Sequence, residues 1–235
     1  AGARQIFFTD SIFNDSEGHY RALIEAMRRR RVSLPWTGFF RPEQMEPEWI
    51  AAMRETGLNA VELGTDAASD ATLRGLGKDF TFAEVEASHT RFVDAGLTVS
   101  HYFMMGGPGE TRETVEEGIA NILSLRRAAS FVYLGIRILP GTPLAARALS
   151  EGVITPGTDL LQPVYYFSPA LDRDWLHERL LAGFKNHRHV VYPPDTYDSG
   201  LAFLHRLGYA GTAIDLLLKR AEIRAAQKAA KPHAG

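Results

Sequence analysis

Cysteine is absent from all 235 residues of the chain. Its absence excludes disulfides, thiolate nucleophiles, zinc–thiolate sites and cysteine-ligated iron–sulfur clusters within this chain. A marked excess of positive charge is also missing, because 26 basic residues against 28 acidic residues give a formal net charge of −2. A generally cationic surface is therefore not expected, and we predict no nucleic-acid partner.

Long apolar runs are missing as well. None reaches the ~18–20 residues of a membrane-spanning helix, and no secretory signal pattern is found, so we predict no membrane span and a cytoplasmic location. The composition, 45% hydrophobic and 23% charged, is that of an ordinary soluble protein. Its length suits one large α/β domain or a domain with an appendage.

Strand-like and helix-like segments alternate along most of the chain. The five predicted strands are Gln5–Thr9, Ser33–Phe40, Leu58–Leu63, Leu97–Met105 and Phe131–Leu139. Their spacing of roughly 30 residues, with amphipathic helices between them, favours parallel strands joined by right-handed crossovers. Because no glycine-rich turn follows the first strand, a partial parallel (βα) barrel is favoured over a doubly wound nucleotide-binding sheet.

The alternation stops after Pro140. We therefore predict two regions, a partial βα-barrel core over residues 1–145 and a mainly helical region over residues 146–235. The first strand begins only five residues into the sequence, so we expect the first βα unit of the barrel to be missing.

Candidate binding residues lie where the predicted strands end, since functional loops follow the carboxyl ends of parallel strands. Asp10 and Ser11 follow the first strand, and Thr65 and Asp66 follow the third. Their polar groups suit ribose hydroxyls or an amino group. Asp and Ser are also common turn and cap residues, so an ordinary structural role stays open.

The stretch "GGPGET" joins the fourth strand to the next predicted helix. Glycines there allow backbone N–H groups to approach a ligand closely. Thr111 is predicted as the N-cap, and Glu110 either favours the helix dipole or binds a ligand ammonium group. The alternative is a tight βα turn with an ordinary cap.

Two arginines at strand ends could meet an anion. Arg41 carries a planar guanidinium group that suits a ligand carboxylate, although a surface arginine before Pro42 is the alternative. Arg137 lies between two isoleucines in the fifth predicted strand, and it needs an anionic partner if it points into the barrel.

Four stretches carry a resemblance to a known family: "IFFTDSIFN", "WTGFFRPEQM", "AGLTVSHYFMMGGPGETRETVEEGI" and "ILPGTPLA". In order and spacing over residues 5–145 the chain resembles radical S-adenosylmethionine enzymes, most closely the subgroup with an upstream cobalamin-binding domain. The resemblance implies a partial barrel that binds S-adenosylmethionine at its carboxyl rim. In the family, a [4Fe–4S] cluster that receives an electron from a donor cleaves S-adenosylmethionine to methionine and a 5′-deoxyadenosyl radical. This radical abstracts hydrogen from a small-molecule substrate.

The resemblance also implies roles for individual residues. Many members of the subgroup transfer methyl groups or rearrange rings with cobalamin. Asp66 would approach the ribose or amino group, and Arg137 would lie near the carboxylate or the cluster. The remaining implied contacts are Thr9, Asp10 and Ser11 near the methionine end, and Met105, Gly106, Gly107, Ile138 and Leu139 around the adenine.

The sequence departs from the family in two respects. Asp66 stands in "ELGTDAASDATLRGLGK" where the family often has glutamate, whose side chain is one methylene longer. The three cluster-binding cysteines, which in the family precede the strand "QIFFTD", are absent. We expect a fragment rather than a degenerate homologue, inactive by itself, whose exposed first-strand edge favours dimerisation.

Two other functions stay open. The first is a non-redox barrel enzyme in which "GGPGE" grips the phosphate of a phosphorylated substrate and Glu110 or Asp66 is the acid or base. The second is a non-catalytic barrel module.

Overall fold

Alternating strands and helices form the first 134 residues of the computed structural model, which describes residues 5–42, 45–194, 202–203 and 206–208. The strands are β1 (Ile6–Phe8), β2 (Trp36–Phe40), β3 (Ala60–Asp66), β4 (Thr98–Met105), β5 (Ala128–Leu134), β6 (Ile136–Arg137), β7 (Tyr165–Tyr166) and β8 (Val190–Val191). The helices are α1 (His19–Arg29), α2 (Pro47–Glu55), α3 (Asp70–Gly75), α4 (Phe82–Asp94), α5 (Arg112–Ser124), α6 (Pro143–Ser150) and α7 (Arg173–Phe184).

Six of the strands form one sheet, in the order β1-β2-β3-β4-β5-β8, and all of its neighbouring pairs are parallel. The strand order follows the chain order from β1 to β5, which is the order of consecutive βα repeats in a barrel. This confirms the predicted α/β fold with a parallel sheet. The sheet is a partial barrel in which β1 and β8 are the two edges.

The end of the predicted fifth strand differs from the prediction. The chain turns at Gly135, whose φ of 73° favours glycine, and its N–H donates to the carbonyl of Met105 at 2.7 Å. After this turn β6 leaves the sheet and pairs antiparallel with β7. Strand β8 also lies within residues 146–235, so that region contributes strands as well as helices, and the boundary at residue 145 stays a prediction.

Side chains alternate between the two faces of the sheet, as the period of a strand requires. On β4, Val99, Phe103 and Met105 are buried in the layer between the sheet and the helices. Tyr102 and Met104, between them in sequence, line a cavity on the other face. The parallel sheet thus has a helix-packed outer face and an inner face that is open to ligands.

Strand β1 is short and lies at one edge of the sheet, where β2 is its one partner among the described strands. Phe7 on this strand is 43% exposed. Unpaired strand edges favour association with another chain, so dimerisation through β1 stays a prediction. In the described part of the chain, no helix combines the length and apolar character that crossing a membrane requires.

A buried hydrogen bond joins β2 to the end of α2. The indole N–H of Trp36, a fully buried side chain, donates to the hydroxyl of Thr56 at 3.1 Å. The Thr56 hydroxyl in turn donates to the carbonyl of Met53 at 2.7 Å. One hydroxyl therefore satisfies a buried donor and a helix-terminal carbonyl together.

Replacement of Thr56 by valine is expected to lower the free energy of unfolding by about 1–3 kcal/mol, because it leaves the Trp36 N–H buried without an acceptor. Urea denaturation measures the change. Thr56→Ser is the matched control, since it keeps the hydroxyl and should stay closer to the wild-type stability. An equal loss of stability in Thr56→Val and Thr56→Ser would show that the hydrogen bond between Trp36 and Thr56 does not stabilise the fold.

Candidate functional site

A cavity of about 910 Å³ opens at the carboxyl ends of β3, β4 and β5. Its lining combines the inner face of these strands with the β6–β7 ladder, α7 and the segment after β8. The lining residues are Asp66, Tyr102, Met104, Tyr133, Leu134, Gly135, Arg137, Pro163, Val164, Tyr165, Tyr166, Phe167, Arg173, His177, Tyr192, Pro193 and Pro194. The cavity size is that of a site for a cofactor or a small molecule.

Aromatic rings form much of the inner face. The ring of Tyr102 stacks on Phe131 with centroids 5.3 Å apart. Its hydroxyl donates to Glu62 Oε2 at 2.7 Å, and burial raises the pKa of both groups. The alternating pattern of β4 could have identified Tyr102 from the sequence.

Asp66 ends β3 and lines the cavity. Its φ of 65° is in the left-handed region, which aspartate tolerates better than most residues. A register irregularity between Leu63 and Asp66 accompanies this turn. One carboxylate oxygen, Oδ2, forms an ion pair with Lys78.

Thr65 points the other way, into the core, where it is fully buried. Its hydroxyl lies 2.8 Å from His101 Nδ1, and His101 Nε2 lies 3.1 Å from His89 Nδ1. His89 Nε2 lies 2.9 Å from the carbonyl of Arg126. The structure therefore does not bring Thr65 to the cavity, and its cofactor contact stays a prediction.

The carbonyl of Arg126 is the last acceptor in the series of hydrogen bonds from Thr65 through His101 and His89, and it determines the tautomers of both histidines. A carbonyl can only accept, so His89 carries its proton on Nε2 and accepts at Nδ1. His101 must then donate from Nε2 and accept the Thr65 hydroxyl proton at Nδ1. Burial lowers the pKa of both imidazoles, most strongly that of His101, where the neighbouring His89 adds to the effect. Neutral imidazoles are what this arrangement requires.

The turn after β4 closes on the side chain of Glu110, which is 2% exposed. Its Oε2 accepts the N–H groups of Gly106 and Gly107, the latter at 3.0 Å. Burial raises the pKa of Glu110 to about 7, although these hydrogen bonds favour the charged form. The N–H groups of Gly106 and Gly107 are thus bound by the chain itself and are not left for the phosphate of the predicted non-redox enzyme. Thr111 caps α5 as predicted, by exchanging hydrogen bonds with Thr114.

Packing around the turn leaves no room for larger residues. Gly106 has a φ of 91°, and a Cβ there would lie 2.6 Å from the ring of Phe167. A Cβ on Gly75 would lie 2.0 Å from the carbonyl oxygen of Pro108. The glycines therefore permit close packing within the protein at these two points.

The other predicted site residues are spread over several environments. Of the thirteen, Asp66 and Arg137 line the cavity. Arg41 forms an ion pair with Asp79. Arg137 is exposed and has no acidic partner in the described ranges. The rest comprise exposed Thr9, Asp10, Ser11 and Leu139 and buried Met105, Gly106, Gly107 and Ile138.

Across the residues that the structure describes, no three metal-ligating side chains lie together. The lining also contains residues that the sequence analysis did not propose, above all Tyr133, Arg173, His177 and Tyr192. Of these, Arg173 and His177 have the i, i+4 spacing of one helix face, which was a usable signal.

Comparison with known proteins gives one family. The model described as the Radical SAM superfamily matches residues 1–120. Tryptophan 2-C-methyltransferase from Streptomyces laurentii is 26% identical over 172 residues, covering 64% of this chain and 27% of that protein. A tRNA-2-methylthio-N(6)-dimethylallyladenosine synthase from Methylococcus capsulatus is 31% identical over 134 residues, covering 55% and 28%.

Solved structures agree with this match. The radical S-adenosylmethionine methyltransferase TsrM from Kitasatospora setae, with cobalamin and a [4Fe–4S] cluster bound, superposes with a TM-score of 0.77 at 25% identity, over 97% of this chain and 53% of TsrM. OxsB, with aqua-cobalamin and S-adenosylmethionine bound, shares the fold at a TM-score of 0.54 and 12% identity, over 86% of this chain and 38% of OxsB. The chain spans about a quarter of the length of the two curated relatives.

Glu110 is expected to make stability depend on pH. Its folded-state pKa of about 7 exceeds the ordinary value of 4.5, so the folded protein binds the proton more tightly and the free energy of unfolding falls as pH rises through this window. In Glu110→Gln, the fall in the free energy of unfolding over this pH range should be smaller by about 1–3 kcal/mol. Denaturant titrations at several pH values measure this free energy.

Glu117→Gln, on the exposed face of α5, is the control. Parallel wild-type and Glu110→Gln curves would contradict the assignment.

Proposed function

The chain belongs to the radical SAM superfamily, and from this premise we propose that it binds S-adenosylmethionine in the cavity at the carboxyl ends of its strands. Two observations support the proposal. The family match covers residues 1–120, which include β1 to β4. The likeness in fold to TsrM extends over 97% of the chain.

The polar groups of the cavity suit this cofactor, and their combination carries the proposal. S-adenosylmethionine presents ribose hydroxyls, an ammonium group, a carboxylate and a flat base. Asp66 offers the carboxylate oxygen Oδ1, for which the described residues provide no hydrogen bond or ion pair, to a hydroxyl or the ammonium group. Arg137 offers a guanidinium group that suits the carboxylate. Backbone contacts from Met105–Gly107 and Ile138–Leu139 complete the proposed set, because the side chains of Met105 and Ile138 are buried in the core.

The proposed reaction is methyl transfer to a small-molecule substrate, with cobalamin as a further cofactor. The similarity to TsrM and to the Streptomyces laurentii relative, which are both methyltransferases, supports this proposal. S-adenosylmethionine supplies the methyl or adenosyl group in such chemistry. The chain's own residues would bind the cofactor, orient the substrate and exclude water.

A [4Fe–4S] cluster does not fit the residues of this chain, because cysteine ligands are absent from all 235 of them. Cluster binding and electron delivery would need ligands from outside this sequence. We therefore propose that these residues alone bind S-adenosylmethionine without cleaving it. The proposed partner of the intact enzyme is an electron donor.

Asp66→Ala is expected to weaken S-adenosylmethionine binding to the 235-residue chain by about tenfold, as loss of one charged contact of about 1.4 kcal/mol implies. Isothermal titration calorimetry measures the affinity, and circular dichroism checks the fold of each variant. Asp159→Asn is the control, because Asp159 is exposed and outside the cavity. A folded wild-type chain that does not bind the cofactor would overturn the proposal.

A further inference from the structure

One wall of the cavity is built from residues that lie beyond the family match. Arg173 and His177 are four residues apart on α7, so both side chains project from one face of the helix. Tyr192 follows β8. All three line the cavity, and all three lie outside residues 1–120.

A hydrogen bond joins two residues of this wall, Tyr192 and His177. The Tyr192 hydroxyl lies 2.7 Å from His177 Nδ1. Burial raises the pKa of Tyr192 to about 12, while the nearby charge of Arg173 opposes the shift, so the phenol keeps its proton at neutral pH. When Tyr192 donates to Nδ1, the ring proton of His177 is on Nε2 and can be donated to a ligand. The wall then presents an imidazole N–H beside a guanidinium group.

Among the residues that the structure describes, the positive charges that line the cavity outnumber the negative ones. Asp66 is the one acid among the described lining residues, and it already forms an ion pair with Lys78. Arg137 and Arg173 also line the cavity, and neither forms an ion pair within the described part of the chain. Two guanidinium charges are thus left for ligands, and an anion is the complementary group.

Aromatic surface flanks these charges. Tyr133 is 39% exposed and Tyr165 is 55% exposed, although both line the cavity. Large aromatic side chains that remain open in a cavity favour contact with a flat apolar ligand. The cavity therefore has both guanidinium groups and aromatic surface in its lining.

We propose that Arg173 and His177, oriented by Tyr192, bind the carboxylate of an aromatic substrate whose ring packs against Tyr133 and Tyr165. This deepens the proposed function, on which it rests in one respect: S-adenosylmethionine occupies the Asp66 and Arg137 side of the same cavity. Arg137 is then neutralised by the cofactor, and Arg173 by the substrate.

Calorimetry on the 235-residue chain tests the proposal with three probes that each carry one phenyl ring: 3-phenylpropionate, its neutral amide of the same shape, and phenyl phosphate. The carboxylate is expected to bind at least about tenfold more tightly than the amide, because a charge-assisted hydrogen bond is lost in the latter. Each measurement is made with and without saturating S-adenosylmethionine.

Arg173→Gln and His177→Phe should each weaken carboxylate binding about tenfold and leave S-adenosylmethionine binding unchanged. Arg188→Gln, an exposed arginine outside the cavity, is the matched control and should change neither. Tyr192→Phe should have a smaller effect, because it removes the orienting hydrogen bond but no charge.

The outcomes separate the two proposals. Carboxylate binding that Arg173→Gln abolishes supports the inference even if S-adenosylmethionine itself does not bind. Equal binding of carboxylate and amide, or preference for phenyl phosphate, would overturn the carboxylate assignment. Loss of S-adenosylmethionine affinity alone in Arg173→Gln would assign the arginine to the cofactor and overturn the substrate role.

Discussion

The carboxylate of Glu110 holds together the turn on which the site depends. Its Oε2 accepts two consecutive backbone N–H groups at Gly106 and Gly107. From the same turn, the carbonyl of Gly106 accepts the N–H of Ser168, and the Ser168 hydroxyl donates to the carbonyl of Glu110. One buried side chain thus fixes the end of β4 and, through it, the segment that carries β7 and Phe167. Two walls of the cavity are positioned by this interaction.

The parts of the fold with strong local signals in the sequence were predicted correctly. Alternating apolar strands and capped helices predicted the parallel sheet, and Thr111 was predicted as a cap on the basis of hydroxyls three residues apart. The family resemblance over residues 5–145 is confirmed by the match over residues 1–120. At the site, Asp66 and Arg137 were found because carboxyl ends of parallel strands converge at one rim.

The remaining site residues had no local signal of this strength. The side chains of Thr65 and Asp66 point to opposite faces, and because the register shifts between Leu63 and Asp66, the pattern alone could not decide which would face inward. Lys78, His177 and Tyr192 reach the site through contacts between segments distant in sequence. The alternation of β4 and β5 was a sufficient signal for Tyr102 and Tyr133, which lie within the strands rather than at their carboxyl ends.

The buried hydrogen-bond network from Thr65 to Arg126 has a consequence for how this core can vary. Each of its donors points the same way, so a replacement that removes the hydroxyl or one of the imidazoles leaves a buried neighbour without its donor or its acceptor. Changes at Thr65, His89 and His101 are therefore tolerated in concert rather than singly. In homologous chains these three positions should covary as a unit, linking a residue beside the ligand cavity to a helix on the far side of the sheet.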